Sequence, residues 1–252
     1  MSSDRVWTAA LAVIGDEILS GRTQDKNVAQ LALWLNDHGI RLAEVRIVPD
    51  DMDKIGETVN ELRAKHDYLF TTGGIGPTHD DITAECVAKA FGVALEYHPR
   101  AVEIMRQRLV QTGGEMNEAR MRMTRVPKGG TLVLNKISAA PGFWISNVIV
   151  MAGIPSIMQA MLEYVAPQLK TGAKMLSETI RADCREGDIG TELGAIAKIH
   201  AEVVIGSYPF VDEKNLANTN VVVRSRDPRK LSAAKLAIEA MLTRVKAGLA
   251  KA

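Results

Sequence analysis

The stretch Tyr68-Leu-Phe-Thr-Thr-Gly-Gly-Ile-Gly-Pro-Thr-His-Asp-Asp-Ile-Thr-Ala-Glu85 decides the fold of this chain. Its first five residues, 68–72, predict a short strand covered on both faces. Gly73, Gly74 and Gly76 let the backbone turn sharply and approach a ligand, because glycine has no Cβ. A strand, a glycine loop and a helix in this order commonly bind phosphate or carboxylate groups in α/β proteins. The alternative is a tight turn in which aspartate only caps the helix.

The composition bounds the class of protein. The 252 residues are 46% hydrophobic and 24% charged, which is typical of a globular chain with one large domain or two unequal ones. The net charge of +1 gives no indication of a nucleic-acid partner, and no apolar run is long enough to predict a membrane span. Cys86 and Cys184 lie outside any CxxC pair, so we expect a reducing, cytoplasmic location.

Three consecutive strand–helix units are predicted in the first third of the chain. Apolar runs at 7–14, 42–48 and 68–72 predict strands, and spaced apolar residues predict helices at 27–38 and around 55–62. Such units form a parallel sheet with helices on both faces. Their crossovers are right-handed, which brings the three strand-to-helix loops to one edge of the sheet.

The remaining sequence predicts the completion of this domain and a second, smaller one. Residues 131–134 and 145–151 are expected to be strands, and the last third of the chain shows a β-α-β-β-α order typical of a small α+β unit. We therefore predict one domain at 1–170 and another at 171–252.

A basic segment lies between the two sets of strands. Residues 93–125 are predicted to be helical and contain six arginines: Arg100, Arg106, Arg108, Arg120, Arg122 and Arg125. Such a face is usually solvated, but one or two guanidinium groups could instead lie over a phosphate.

Acidic pairs follow each of the first three predicted strands. They are Asp16 and Glu17, Asp50 and Asp51, and Asp80 and Asp81. If all six carboxylates meet at one sheet edge, they repel one another and any phosphate unless a cation lies among them, and Mg²⁺ prefers such oxygen ligands. Capping of helix N-termini is the alternative for any single pair. Three pairs at one edge favour a metal and phosphate site.

Several well-known motifs are missing from the sequence. The glycine loop lacks both the GxGxxG spacing of a dinucleotide fold and the Gly-Lys-Ser/Thr of a P-loop. There is no Gly-x-Ser-x-Gly elbow, and the five histidines show no zinc-binding spacing. These absences argue against a dehydrogenase, a P-loop NTPase, a serine hydrolase of that type and a zinc protein.

The loop at 71–83 resembles the signature of the MoaB/Mog molybdopterin-binding domain. It is closest to the branch at the N-terminus of CinA-type (competence/damage-inducible) proteins and of eukaryotic FAD synthases, and the segments at 13–21, 48–51, 135–142 and 206–209 resemble the same branch. The resemblance implies an α/β fold: a three-layer αβα domain with a mostly parallel sheet, plus the small C-terminal α+β domain. Its pocket would hold a pterin or a nucleotide pyrophosphate.

The resemblance also implies chemistry and residue roles. In the molybdenum-cofactor branch the aspartate matching Asp81 is needed to adenylate molybdopterin, whereas the CinA-like branch looks like a metal-dependent pyrophosphatase of ADP-ribose or FAD type. Asp81 and Asp51 would be catalytic, and Asp51, Asp80 and Asp81 would bind a divalent cation (Mg²⁺ or Co²⁺), with K⁺ as a further ion. The implied ligand-binding residues are Gly15, Asp16, Glu17, Asn27, Gly73, Gly74, Gly76, Pro77, Thr78, Pro141, Gly142 and Gly153. The family further implies a homo-oligomer.

Two departures from the family pattern keep alternatives open. The Pro-Gly-Val-Pro turn is here Ala152-Gly153-Ile154-Pro155, and the Glu-Met that follows is Ile157-Met158. The chain also ends before any deamidase or adenylylating domain of its longer relatives, so we expect those activities to be absent. The hypotheses are a metal-dependent hydrolase of a nucleotide pyrophosphate, a pterin-binding or pterin-adenylating protein, and a non-catalytic nucleotide-binding oligomer.

Overall fold

A computed structural model describes residues 5–249 of the chain. It divides into two compact units, and the division falls between Gly172 and Ala173. Within the described residues no helix is both long enough and apolar enough to cross a membrane.

The first unit alternates strands and helices. Its strands are β1 (Trp7–Ile14), β2 (Ile40–Val48), β3 (Tyr68–Thr72), β4 (Leu95–Tyr97), β5 (Arg125–Pro127), β6 (Thr131–Val133), β7 (Gly142–Ile145) and β8 (Val148–Met151). Its helices are α1 (Asp16–Leu19), α2 (Asn27–Asp37), α3 (Met52–Lys65), α4 (Thr83–Phe91), α5 (Pro99–Thr112), α6 (Glu118–Arg122) and α7 (Pro155–Val165), followed by a 3₁₀ turn at Ala166–Gln168.

Six strands form one sheet in the order β2-β1-β3-β8-β7-β6. The pairs β1–β2, β1–β3 and β3–β8 are parallel, while β7 pairs antiparallel with both β6 and β8. The predicted mostly parallel sheet is therefore confirmed.

Two apolar cores cover the two faces of this sheet. On one face Leu11 and Phe70 pack with residues of α2 and α7, and on the other Ala12 and Leu69 pack with residues of α3 and α4. The alternation arises because successive side chains of a strand point to opposite faces. The result is the three-layer αβα arrangement that the sequence predicted.

The register brings the strand ends that matter for function together. Ile14 pairs with Val48, Val13 with Thr72, and Thr72 with Met151. The carboxyl ends of β1, β2, β3 and β8 therefore lie at one edge, which is where open α/β sheets bind their ligands.

Two predicted elements are wrong in detail. The run at 145–151 is two strands joined by a turn, with Ile145 opposite Val148 and Ser146 at φ 54°. Because both strands are buried, the run is apolar nearly throughout, and its composition did not indicate a turn. The segment 93–125 contains the short β4–β5 pair as well as helices, so it is only partly helical.

The second unit has its own core. It contains β9 (Leu176–Arg181), α8 (Glu186–Ile199), β10 (Val204–Val211), β11 (Ala217–Ser225) and α9 (Pro228–Leu249). The strands form an antiparallel sheet in the order β10-β11-β9, and Val221 and Val223 pack with apolar residues of both helices. The predicted small α+β domain is confirmed.

Candidate ligand site at the edge of the sheet

The turn after β3 can be made only by glycine. Gly73 has φ +100°, and a Cβ there would lie 2.0 Å from the carbonyl oxygen of Ile14. Gly153, after β8, approaches from the other side, since a Cβ on it would lie 3.3 Å from the Cα of Gly73. The backbone of this turn is thus packed between the ends of β1 and β8, and a side chain has no room.

Asp81 holds the rest of the loop in shape. Its Oδ1 accepts the N–H of Gly76 at 2.6 Å, and its Oδ2 accepts the N–H of Thr78 at 2.8 Å and the hydroxyl of Thr78 at 2.5 Å. The hydroxyl of Thr83 also donates to the carbonyl of Gly73 at 3.1 Å. Hydrogen bonds to an ionised carboxylate are about twice as strong as neutral ones, so this half-buried aspartate sets the loop geometry.

Of the predicted pair Asp50 and Asp51, it is Asp50 that joins the other carboxylates of the strand ends. Asp50, not Asp51, accepts the backbone N–H of Asp16 at 3.0 Å. Burial raises the pKa of Asp50, and the charges of Asp16, Glu17 and Asp80 raise it further against the lowering effect of that hydrogen bond. Four acidic side chains therefore share this edge.

Asp51 has a structural role instead. Its Oδ1 accepts the N–H groups of Asp53 and Lys54 at 3.0 and 2.9 Å and so caps the N-terminus of α3. Its other carboxylate oxygen is not used in this cap, and the side chain is exposed. Its predicted catalytic role stays a prediction, as does that of Asp81.

The carboxylates do not form a complete metal cage by themselves. Within residues 5–249, no three His, Cys, Asp or Glu side chains come together in a way that could hold a metal ion. Mg²⁺ is commonly bound through one or two carboxylates together with substrate phosphates. The donors at this edge fit that second mode, in which the ligand brings part of the coordination shell.

A small concave surface, here called the anion hollow, lies on one side of the glycine turn. Gly74, Gly76 and Asp81 line it from the glycine loop, and Arg122 and Arg125 line it from the basic segment. Its other lining residues are Ile75, Ala84, Met123, Pro141 and Phe143. Neither arginine forms an ion pair with an acidic residue of the described chain, and the Nε of Arg125 only reaches the carbonyl of Arg122 at 3.4 Å. Both guanidinium groups therefore have no carboxylate partner among the described residues, and the hollow beside them has a volume of only about 20 Å³.

A larger side cavity of about 240 Å³ lies on the other side of the turn. Its walls are Val13, Ile14, Glu17, Ile18, Thr23, Gln24, Asp25, Lys26, Asn27, Thr72, Gly153 and Pro155. Asn27 is only 5% exposed and donates through Nδ2 to the carbonyl of Gly153 at 2.7 Å. Its Oδ1, and the Oγ1 of Thr72, are buried and have no hydrogen-bond partner among the described residues.

The anion hollow and the side cavity are neighbours. Gly74 lines the hollow, whereas the adjacent Gly73 contacts Ile14 and Gly153, which both line the cavity. One ligand can thus place an anionic group and a second group on the two sides of the same turn.

Most of the predicted binding residues surround this edge. Pro77 and Thr78 are exposed at the loop tip, and Pro141 lines the anion hollow. Gly142 lies within β7, where a Cβ would be 2.1 Å from the carbonyl oxygen of Val150, so strand packing explains that glycine. A Cβ on Gly15 would lie 2.5 Å from the carboxylate of Glu17, which folds back over the turn.

Sequence reasoning did not place three residues in the site. Arg122 and Arg125 belong to the basic run from which one or two guanidinium groups could lie over a phosphate, but the sequence did not indicate which of the six arginines these would be. Thr72 gave no signal, because a threonine at the end of a buried strand is ordinary.

A mostly parallel sheet with a glycine turn and a polar cavity at the carboxyl ends of its strands defines an open α/β domain, the class in which ligands commonly bind at that edge. Residues 10–171 match the family described as "Probable molybdopterin binding domain", and the chain belongs to that family. Residues 174–247 match a second family, described as "FAD synthase, middle domain". The resemblance found in the sequence is therefore confirmed for both units.

Similar proteins occur in archaea and bacteria. A protein of Archaeoglobus fulgidus is 33% identical over 78% of this chain and 83% of its own length. A CinA-like protein of Desulfosudis oleivorans is 37% identical over 65% of this chain, which is 41% of that longer protein. The crystal structure of CinA from Thermoplasma acidophilum is 29% identical, covers 65% of this chain and 98% of its own, and has a TM-score of 0.60.

Proposed function

We propose that this protein binds a nucleotide pyrophosphate of the ADP-ribose or FAD type at the sheet edge and hydrolyses it with the help of a divalent cation. The observation that carries the proposal is that Arg122 and Arg125 line the anion hollow together with Gly74 and Gly76 and form no ion pair within the described residues. Guanidinium groups match phosphate geometry and remain charged at every physiological pH. Glycine backbone can approach phosphate oxygens closely, which completes an anion-binding surface.

The acidic side chains at the same edge support a role for a cation. Asp16, Glu17, Asp50 and Asp80 would repel a pyrophosphate, and a divalent ion between them and the phosphates would remove that repulsion. Such an ion also supplies Lewis-acid polarisation of the phosphate and a nucleophilic water near neutral pH. In this proposal Asp81 keeps the loop shaped for the phosphates, and the arginines neutralise the leaving group.

A second candidate is binding or adenylation of molybdopterin. It is favoured by the description of the family to which residues 10–171 belong. Molybdopterin also carries a phosphate beside a ring system, so the anion hollow and the side cavity suit it as well. The FAD-synthase character of residues 174–247 and the CinA-like relatives favour the nucleotide. A non-catalytic nucleotide-binding protein is the remaining alternative.

Product analysis separates these candidates. The purified chain is incubated with ADP-ribose or FAD in the presence of Mg²⁺ or Co²⁺, with and without K⁺, and AMP is measured by chromatography. We expect AMP release that depends on the divalent ion and falls in Arg122→Gln. No AMP with any cation, together with tight binding of the nucleotide, would identify a binding protein. Tight molybdopterin binding without nucleotide turnover would establish the second candidate.

The proposal extends to the cellular setting. Both cysteines are buried free thiols, which suits a reducing cytoplasm. We also propose a homo-oligomer, as the family resemblance implies. Cell fractionation tests the location, and light scattering on the purified protein tests the oligomer.

A further inference from the structure

Two buried polar atoms in the wall of the side cavity lack a partner. Thr72 is 1% exposed and Asn27 is 5% exposed, and the Oγ1 of the first and the Oδ1 of the second make no hydrogen bond with the described residues. A buried donor or acceptor without a partner destabilises the folded protein, so such groups in a cavity commonly have a role in binding. Both residues line the same cavity beside the glycine turn.

The orientation of Asn27 defines the chemistry that this cavity accepts. Its Nδ2 donates to the carbonyl of Gly153 at 2.7 Å, so its Oδ1 is left as an acceptor. The hydroxyl of Thr72 can donate or accept. A ligand group that donates hydrogen bonds, such as a sugar hydroxyl or a ring amino group, satisfies both atoms.

The charge and the size of the cavity disfavour direct contact between its wall and the phosphates. Glu17 and Asp25 line it against a single cation, Lys26, so a phosphate would meet a net negative wall. Its volume of about 240 Å³ is smaller than the roughly 300–1,000 Å³ of pockets that hold whole drug-sized ligands. The cavity therefore suits one sugar or ring of a larger ligand.

We propose that the side cavity binds the hydroxyl- or amino-bearing part of the phosphate ligand, and that Thr72 determines specificity by hydrogen bonding to it. This inference rests on the proposed function, because it assumes that the phosphates lie in the anion hollow. Thr72 is a binding residue that distinguishes a nucleotide from a bare phosphate compound.

The chain contains a matched control for this threonine. Thr71 is 0% exposed, its Oγ1 also lacks a partner, and it lies on the same strand. Its side chain points to the opposite face of the sheet, because strand neighbours alternate, and it does not line the side cavity. Valine has nearly the same shape as threonine but no hydroxyl. Thr72→Val and Thr71→Val therefore remove the same chemical group from the two faces.

The test compares binding and thermal stability for the two variants. Binding of ADP-ribose, AMP and inorganic pyrophosphate is measured by calorimetry in one Mg²⁺ buffer, and unfolding is followed without ligand. Because each variant removes an unpaired buried hydroxyl, we expect both to raise the Tm, by about 2–4 °C. We expect Thr72→Val alone to weaken ADP-ribose and AMP binding, by about tenfold, while pyrophosphate binding is unchanged.

The outcomes distinguish this inference from the proposed function. If the wild-type protein binds ADP-ribose and AMP and Thr72→Val binds them equally well, the inference is wrong and the proposed function is retained. If Thr71→Val weakens binding as much as Thr72→Val, the effect is structural and the inference is also wrong. If the wild-type protein binds none of the three probes, both are wrong.

Discussion

Replacing Gly73 with alanine tests whether the packed turn after β3 is as tight as the structure shows. The new Cβ would lie 2.0 Å from the Ile14 carbonyl oxygen, whereas real Cβ contacts essentially never fall below 3.0 Å, so backbone must move by about 1 Å. The positive φ of +100° adds strain that a Cβ-bearing residue avoids. The strain costs about 1–2 kcal/mol and the overpacking about 1–3 kcal/mol, so we expect Gly73→Ala to lower the free energy of unfolding by about 2–5 kcal/mol.

Gly92 provides the comparison that isolates the steric part. It ends α4 at φ +65°, and nothing lies within 4 Å of a Cβ built on it. Gly92→Ala should therefore show the strain alone, about 1–2 kcal/mol. Trp7, Trp34 and Trp144 are the three tryptophans of the sequence and all lie in the first unit, so tryptophan fluorescence during urea unfolding reports on that unit. If both variants lower the free energy equally, the packing argument is refuted.

Three further predictions concern the loop, the arginines and the buried thiol. Asp81→Asn removes the charge and replaces one of the two acceptor oxygens with an NH2 donor, so ligand turnover should fall at least tenfold while far-UV circular dichroism is unchanged. Asp53→Asn, at an exposed position, is the control. Arg122→Gln should weaken binding of the phosphate ligand about tenfold without lowering the Tm, and Arg122→Lys should lose less affinity. If calorimetry finds that Arg122→Gln and the wild-type protein bind the ligand equally well, the anion hollow is not the phosphate site. Burial raises the pKa of Cys86 to about 12, so this thiol stays protonated at pH 8. Iodoacetamide should therefore label it only after the protein unfolds. Rapid labelling of the folded protein, detected by peptide mass spectrometry, would show that the thiol is not buried.

The sequence patterns that predicted the central strands were strong because burial and periodicity agree there. The run Tyr68 to Thr72 is buried at every position, and the glycines after it mark the turn without ambiguity. The run at 145–151 shows the limit of the same reasoning. When both strands of a hairpin are buried, apolar content does not reveal a turn, and Ser146 at φ 54° carries no clear sequence signal.

The sequence predicted which edge of the sheet carries the candidate site, but not which individual side chains and atoms face it. Acidic residues at strand ends indicated where the carboxylates gather, yet the sequence could not show which member of the pair Asp50 and Asp51 faces that edge. The backbone of Asp51, at φ −119° and ψ 130°, gives it the extended conformation of a helix cap and leaves Asp50 beside Asp16. The unpaired hydroxyl of Thr72 was likewise invisible, because hydrogen-bond partners depend on tertiary packing.

The wedging of Gly73 between Ile14 and Gly153 has a consequence for how a ligand is captured. A loop that is already fixed by its neighbours loses little conformational entropy when a ligand arrives, so more of the contact energy is available as affinity. Capture at this turn then requires no closing step, and association should follow a single exponential whose rate rises linearly with ligand concentration. This protein would recognise phosphate by preorganisation rather than by induced fit.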